Sequence, residues 1–301
     1  MKSLWALVLG MTTAMAFEYG LKPAQITQGV YCYFGAPEVM DTKNNGNMVN
    51  SCFVDTGVHW LVIDSGPSYM YAKEALLHVN AIKPMNVTYV INTHVHDDHW
   101  LGNGFYAQNG AKIIGPTHFS DIFHDTMIPR MAHRISKAAY EKTVPTPPTR
   151  LIDTTTQLQV DNLSIECVHV DHKAHTGGDL FVYIPTLKTL FAGDLIFNDR
   201  LPSLRDGDIN GWIAALEQIK SYKAEHIVGG HGVRHDEKAI DFTYNYLTQL
   251  RDAVREKIAN GVSLEDTVAS LSMDAYKNSA LYELMQRANV EAAYRMLEWE
   301  E

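Results

Sequence analysis

The stretch His94-Val95-His96-Asp97-Asp98-His99 places three imidazoles beside acidic side chains within six residues. It follows Val87-Thr88-Tyr89-Val90-Ile91-Asn92, an apolar and β-branched run that is typical of a buried strand ending in a tight loop. A loop at that place can aim several side chains into one cavity. With this spacing, His94 and His96 can share one metal ion, and Asp98 and His99 can turn toward a second.

The ligand types in this stretch favour a catalytic zinc site. Imidazole nitrogen and carboxylate oxygen suit Zn²⁺, and the absence of a nearby cysteine argues against a closed structural zinc site. The alternative is a solvated histidine-rich turn that binds metal adventitiously. Residues far along the chain help to decide between the two interpretations.

The pattern resembles the signature of the metallo-β-lactamase superfamily, and the resemblance runs from about Gln28 to His235. It implies an α/β fold, the four-layer αββα sandwich, with the metal ligands at one edge between two sheets. It also implies three later ligands in characteristic contexts. These are His175 in His175-Thr176-Gly177-Gly178-Asp179, Asp194 in Ala192-Gly193-Asp194-Leu195, and His231 in Gly229-Gly230-His231-Gly232.

The resemblance assigns these residues to two metal ions. His94, His96 and His175 are expected to hold the first zinc ion, Asp98, His99 and His231 the second, and Asp194 to bridge them. A buried carboxylate such as that of Asp194 needs a cation or hydrogen-bond donors. One subclass of lactamases has cysteine at this position and another has no metal ligand there, whereas glyoxalase II-like thioesterases and lactonases have aspartate. True β-lactamase activity therefore stays an alternative.

Other residues near the motif have expected supporting roles. Asp64 ends the buried run Leu61-Val62-Ile63 and matches a family aspartate that orients a metal ligand by hydrogen bonding, although it could be a plain turn residue. The candidate substrate contacts are Trp100, Tyr69, Arg200 and Arg205. An arginine at the pocket would favour a carboxylate-bearing substrate, and a surface role for each arginine is the alternative.

The segment Arg200-Leu201-Pro202-Ser203-Leu204-Arg205-Asp206-Gly207 adds a second, narrower resemblance. It looks similar to exported zinc metallohydrolases associated with quinoprotein alcohol oxidation or with sulfur oxidation. Such a relative would act on an oxidation intermediate, for example a thioester.

Composition excludes some partners. The chain has 301 residues, of which 46% are hydrophobic and 20% charged, enough for one large α/β domain. A net charge of −10 argues against nucleic acid as a partner, because polyphosphate binding depends on neutralisation by Lys and Arg. A small-molecule acyl substrate is expected instead.

Residues 1–16 have the pattern of a cleavable signal peptide: Lys2, an apolar centre from Leu4 to Met11, and the end Ala14-Met15-Ala16. The mature protein would begin near Phe17 and be periplasmic or secreted. An uncleaved N-terminal anchor is the alternative. No stretch reaches the ~20 apolar residues of a membrane span, so stable membrane insertion is not expected.

The cysteines fit an exported protein. Cys32 and Cys52 lie in two candidate strands joined by a turn rich in Asn and Gly, and antiparallel pairing could bring them into a disulfide. A shift of register by one residue would instead point the sulfurs apart. Cys167 is expected to be a buried, small apolar residue.

We expect residues 17–236 to form the catalytic domain and residues 237–301 a helical extension without chemistry of its own. Predicted strands lie near 29–34, 50–55, 59–64, 87–92, 112–114, 158–160, 164–170, 179–184, 189–193 and 226–228, and helices near 69–79 and 211–222. Residues 117–149 are interpreted as a cap over the metal site or, alternatively, as a surface helix pair. Ser263-Leu264-Glu265-Asp266 has the pattern of a helix start.

The leading functional hypothesis is an exported dinuclear zinc hydrolase. A metal-bridging hydroxide, oriented by Asp98, would attack the carbonyl of a thioester, ester, lactone or lactam. The second hypothesis is an iron-dependent redox enzyme of the same fold, similar to persulfide dioxygenases. A non-catalytic zinc-binding protein is the third.

Overall fold

The structure is a computed structural model that describes residues 17–300. The predicted signal peptide lies outside the described residues. Two β-sheets face each other, and each carries helices on its outer side. No helix in the described part combines the length and apolar character needed to cross a membrane.

The first sheet contains seven strands whose order in space follows their order in sequence. They are β1 (Ala24–Thr27), β2 (Val30–Tyr33), β3 (Ser51–Asp55), β4 (Trp60–Ile63), β5 (Val87–Ile91), β6 (Lys112–Pro116) and β7 (Arg150–Ile152). Strands β1 to β4 pair antiparallel, whereas β4 to β7 pair parallel. The short strands β1 and β7 were not predicted.

The second sheet has five strands in the order β12-β11-β10-β9-β8. They are β8 (Thr156–Val160), β9 (Leu163–His169), β10 (Leu180–Ile184), β11 (Thr189–Phe197) and β12 (His226–His231). Only β11 and β12 pair parallel among the neighbours in this sheet. Strand β11 is buried along its whole length, which is expected of a strand covered on both faces.

The helices are α1 (Tyr69–Ile82), α2 (Asp97–Trp100), α3 (Asn103–Gln108), α4 (Phe119–Ile122), α5 (Met131–Arg134), α6 (Ile209–Ser221), α7 (Asp241–Ala259), α8 (Leu264–Ser270) and α9 (Tyr282–Leu297). Helix α8 begins as predicted, because the Ser263 side chain accepts a hydrogen bond from the Asp266 backbone N–H. The predicted helices near 69–79 and 211–222 correspond to α1 and α6.

Alternating side chains build the four layers. In β3, Val54 packs between the two sheets, whereas Phe53 on the opposite face packs against α1 and α3. Outside the second sheet, Trp212 of α6, Leu250 of α7 and Val290 of α9 share one apolar cluster with β11. The predicted αββα sandwich with C-terminal helices is therefore confirmed.

Cys32 and Cys52 face each other across the β2–β3 pair and form a disulfide, with their Cα atoms 4.1 Å apart. The register is thus the one that brings the sulfurs together. Cys167 is buried and free, as expected. The disulfide fixes the start and the end of the loop 34–50, which reaches the edge of the sandwich where the histidines lie.

Residues 117–149 contain only two single-turn helices, α4 and α5, and are otherwise irregular. The segment covers Trp100 through Phe119 and Met131, which pack in the same apolar cluster. We refer to residues 117–149 as the cap. It rests directly on the histidine-rich loop.

Candidate metal centre

Strand ends bring the candidate ligands to one edge of the sandwich. His94, His96, Asp98 and His99 follow β5, and His231 ends β12. Asp194 lies within β11, and His175 lies in the loop between β9 and β10. Parallel pairing of β4 with β5 and of β11 with β12 puts the carboxyl ends of these strands together, which is where open α/β sheets place their sites.

The first ligand group consists of His94, His96, His175 and Asp194, whose donor atoms all lie within 4.8 Å of one another. Nδ1 of His96 is 3.0 Å from Nε2 of His175. Oδ2 of Asp194 lies 3.4 Å from Nε2 of His175 and 3.7 Å from Nε2 of His94. The four donors therefore surround one point.

The second ligand group consists of Asp98, His99 and His231, again with all donor atoms within 4.8 Å of one another. The other oxygen of Asp194, Oδ1, faces this group at 3.1 Å from Nε2 of His99 and 3.2 Å from Nε2 of His231. Asp194 thus presents one oxygen to each group, which is the geometry of a carboxylate that bridges two cations.

Several buried atoms at this place need a cation. Nε2 of His94, Nε2 of His99 and Oδ1 of Asp194 are buried and make no hydrogen bond. An unpaired buried polar atom is costly, and a metal ion between the two groups would satisfy all three. The donor set, imidazole with carboxylate and no thiolate, fits zinc and also fits iron.

The electrostatics of the cluster hold three imidazoles and the carboxylate of Asp194 in their metal-binding forms, and His99 is the exception. Burial lowers the pKa of His94, of His96 and of His231, so these imidazoles are neutral and offer a lone pair. Burial raises the pKa of Asp194, but the surrounding imidazoles outweigh burial and hold that pKa well below its usual range. Burial also opposes charge on His99, yet the neighbouring carboxylates, Asp194 first, raise its pKa.

Hydrogen bonds to Nδ1, on the side of each ring away from the ligand groups, fix the orientation of three of the imidazoles. Asp64 accepts from Nδ1 of His99 at 2.8 Å and from both the backbone N–H and the hydroxyl of Thr93. The Thr93 hydroxyl is in turn 3.0 Å from Nδ1 of His94. The Met48 carbonyl accepts from Nδ1 of His231. These bonds leave Nε2 of all three rings facing the centre, and Asp64 has the position expected of an orienting residue.

Asp64 holds this position in a left-handed backbone conformation, with φ at 54°. A non-glycine residue in that region is strained, and such strain persists where the surroundings fix the conformation. The bonds to Thr93 and His99 supply that constraint.

Two of the four predicted substrate contacts pack against other aromatic rings. Trp100 is only 1% exposed and donates its indole N–H to the Val95 carbonyl beneath the cap, so its ring presents no surface to a substrate. Tyr69 begins α1, where its ring packs edge-on against Phe105. Trp100 packs against the apolar face of the cap. Its position directly after the histidine-rich motif predicts a pocket residue, and the structure makes it a core residue instead.

The two predicted arginines lie at the site. Arg200 is 6% exposed, and its Nη1 lies 3.4 Å from Nδ1 of His231 and donates to the Glu38 carbonyl. Arg205 is exposed and lines a cavity of about 410 Å³ together with His96, Lys173, Thr176 and Asp206. This cavity opens onto the first ligand group.

Two charged residues that touch the candidate ligands were not predicted from the sequence. Arg130, from the cap, donates to Asp97 and, at 3.1 Å, to Oδ1 of Asp98. Oδ2 of Asp206 lies 3.1 Å from Nε2 of His96. No local sequence pattern indicates a role for Arg130. Asp206 lies in the segment Arg200–Gly207, whose two arginines are predicted substrate contacts.

Comparison with known proteins agrees with this geometry. The family model of the metallo-β-lactamase superfamily matches residues 44–231. A metallo-β-lactamase from Pontibacter korlensis has 22% sequence identity and a TM-score of 0.60, over 76% of this chain and 99% of that chain. The DIM-1 metallo-β-lactamase exposed to ceftazidime has 18% identity and a TM-score of 0.59, over 76% of this chain and 97% of that chain. The chain belongs to the metallo-β-lactamase superfamily of metal-dependent hydrolases.

Proposed function

We propose that this protein is an exported, dinuclear zinc hydrolase that cleaves a small acyl substrate: a thioester, ester, lactone or lactam. The observation that carries the proposal is Asp194, whose two oxygens face two separate groups of histidines. When bound, two metal ions at such a site supply an activated water and a Lewis acid for a carbonyl oxygen.

The chain's own residues prepare the reacting water. Asp98 has one oxygen, Oδ1, bound to Arg130, and its other oxygen, Oδ2, turned toward Nε2 of His99 and of His231. Burial raises the pKa of Asp98, but the positive charges of His99 and Arg130 outweigh burial and lower that pKa to about 2. Asp98 is therefore a carboxylate at neutral pH, able to ligate and to orient a water by accepting a hydrogen bond.

The cavity beside His96 is the proposed substrate site. At about 410 Å³ it suits a small molecule. Lys173 and Arg205 in its wall outnumber the one carboxylate, Asp206, and Asp206 is already paired with Arg205. This balance favours an acyl substrate that carries an anionic group, attracted to an otherwise acidic protein.

The disulfide supports the proposed export. A disulfide persists in the periplasm or outside the cell and is rare in a reducing cytosol. Expression of the full chain with its natural start, followed by N-terminal sequencing of the periplasmic or secreted fraction, should give a start near Phe17. An intact start at Met1 in the membrane fraction would instead support an anchored protein.

The function is tested by a double variant, His96→Ala with Asp194→Ala. We expect it to fold and to lose hydrolysis of every thioester, ester, lactone or lactam that the wild type cleaves. His78→Ala with Asp171→Ala, which changes the same residue types at the surface, should retain activity. Full activity in the His96 and Asp194 variant would refute the assignment, and oxygen consumption with a persulfide but no hydrolysis would favour the iron-dependent redox enzyme.

A further inference from the structure

His96 differs from the other candidate ligands in the way its ring is held. In His94, His99 and His231, Nδ1 is hydrogen-bonded from behind and Nε2 faces the centre. In His96 the arrangement is reversed, since Nδ1 faces the centre at 3.0 Å from Nε2 of His175. Its Nε2 points the other way, toward Asp206.

His96 also has the least protein around it. Its side chain is 18% exposed, whereas those of His94, His99 and His231 are at most 2% exposed. Packing therefore constrains this ring less than the others. Oδ2 of Asp206, 3.1 Å from Nε2, is the hydrogen-bond acceptor available to hold it.

Asp206 is itself held in place. Arg205 donates to its carboxylate through Nη2 at 2.7 Å. Two residues farther along, the Asp208 backbone N–H donates to the Ala174 carbonyl at 2.8 Å, next to His175. The loop that carries Asp206 is thus tied to the loop that carries another ligand of the same group.

The C-terminal helices anchor the other end of this loop. The Asn289 side chain, in α9, accepts from the Leu204 backbone N–H at 2.9 Å and donates to the Pro202 carbonyl at 2.9 Å. Asn289 is buried and also contacts the Tyr246 hydroxyl, in α7. The position of Asp206 therefore depends on the extension as well as on the catalytic core.

We propose that Asp206 is a positioning residue for His96. By accepting the hydrogen bond from Nε2–H, it fixes the tautomer in which the Nδ1 lone pair points at the first metal. A carboxylate in this role orients the ring and raises the basicity of the ligating nitrogen. The proposal rests on the proposed function, because it assigns the first ligand group to a metal.

The test is the affinity of each metal site in Asp206→Ala, measured by competition between the metal-free protein and a chromophoric chelator for Zn²⁺. We expect the first metal to bind about 10- to 100-fold more weakly and the second to change little. Asp206→Glu should recover part of the affinity. Asp171→Asn is the matched control, because Asp171 also pairs with an imidazole, that of His172. The Asp171–His172 pair is far more exposed to solvent than the Asp206–His96 pair.

A second readout does not depend on the metal. Long-range ¹H–¹⁵N NMR of the metal-free wild type should show the His96 ring protonated at Nε2, and Asp206→Ala should show a mixture of tautomers. Protonation at Nδ1 in the wild type would overturn the proposal, as would unchanged affinity of both metals in Asp206→Ala. A wild type that binds no metal yet shows the Nε2–H tautomer would refute the proposed function and leave the positioning of the ring supported.

Discussion

Gly230 shows how closely the backbone approaches the carboxylate between the two ligand groups. A Cβ atom built on this residue would lie 2.0 Å from Oδ1 of Asp194. Any side chain at position 230 must therefore displace the carboxylate or the strand. The glycine next to His231 is needed so that Asp194 can face both groups.

Gly230→Ala should consequently weaken the binding of both metals by at least about tenfold, since the bridging ligand moves. Overpacking should also cost about 1–3 kcal/mol of unfolding free energy. Gly104→Ala, whose Cβ would approach only Thr146 and Val144, at 3.1 and 3.2 Å, serves as the control. Chelator competition and urea unfolding measure the two effects, and wild-type affinity for both metals in Gly230→Ala would disprove the bridging role of Asp194.

One arginine of the cap binds both acidic residues of the histidine-rich motif. Arg130 lies just before α5, and its guanidinium binds Asp97 and Asp98 together, while the Met131 backbone N–H donates to the second oxygen of Asp97. The two acidic residues of the motif therefore have different roles. Asp97 holds the cap, and Asp98 is turned by Arg130 so that Oδ2 faces His99 and His231.

Arg130→Gln should lower the affinity of the second metal by about tenfold and leave the first nearly unchanged, because Asp98 is the one candidate metal ligand that Arg130 contacts. This pattern is the opposite of that expected for Asp206→Ala. Arg134→Gln, which changes an exposed arginine at the end of α5, is the matched control. Equal weakening of both metals would mean that Arg130 acts through the fold of the cap and not through Asp98.

The disulfide stabilises the strand pair that carries the loop from residue 34 to residue 50. It closes a chain segment with a sequence separation of 20, so its loss should cost about 3 kcal/mol through the entropy of the unfolded chain. Met48, which holds the ring of His231, lies in that segment. Cys32→Ala with Cys52→Ala should therefore unfold at a lower urea concentration than the wild type.

Thiol titration provides the companion measurement. Burial raises the pKa of Cys167 to about 12, so its thiol should not react with Ellman's reagent at pH 8 in the native protein, because the thiolate is the reactive form. Without a reductant, the unfolded protein should show one thiol, and with a reductant all three cysteines. Three reactive thiols in the unreduced, unfolded chain would contradict the disulfide.

In the whole molecule, sequence reasoning succeeded where the signal is local. The run before His94 predicts β5, and the apolar run before Asp194 predicts the first part of β11, because both are buried. The predicted strand ends at residue 193, whereas β11 continues through Asp194 to Phe197. The short edge strands β1 and β7 were not predicted. Each has only one buried residue, so neither shows the apolar pattern of a core strand.

Contacts between distant segments could not be predicted in this way. Asp206 is 110 residues from His96, and Arg130 is 32 residues from Asp98. Neither pair has a spacing that a helix or a hairpin would produce. They meet because the two sheets close over each other and bring the loops at one edge together, which is a property of the complete fold.

The C-terminal helices belong to that complete fold. Residues of α7 and α9 share an apolar cluster with α6 and β11, and Asn289 anchors the loop that contains Asp206. The extension thus supports the loop whose residues Arg205 and Asp206 line the proposed substrate cavity. The candidate ligands that the structure shows all precede the extension. The extension therefore affects the candidate metal centre through this loop.

We propose that one metal ion lies on each side of Asp194. Metal analysis of the protein, purified without added metal, provides the test together with assays of thioester, lactone and β-lactam substrates. We predict about two zinc ions per chain, in keeping with a dinuclear hydrolase site, together with hydrolysis of at least one acyl substrate. About one iron ion per chain and no hydrolysis of any of these substrates would rule out a dinuclear zinc hydrolase.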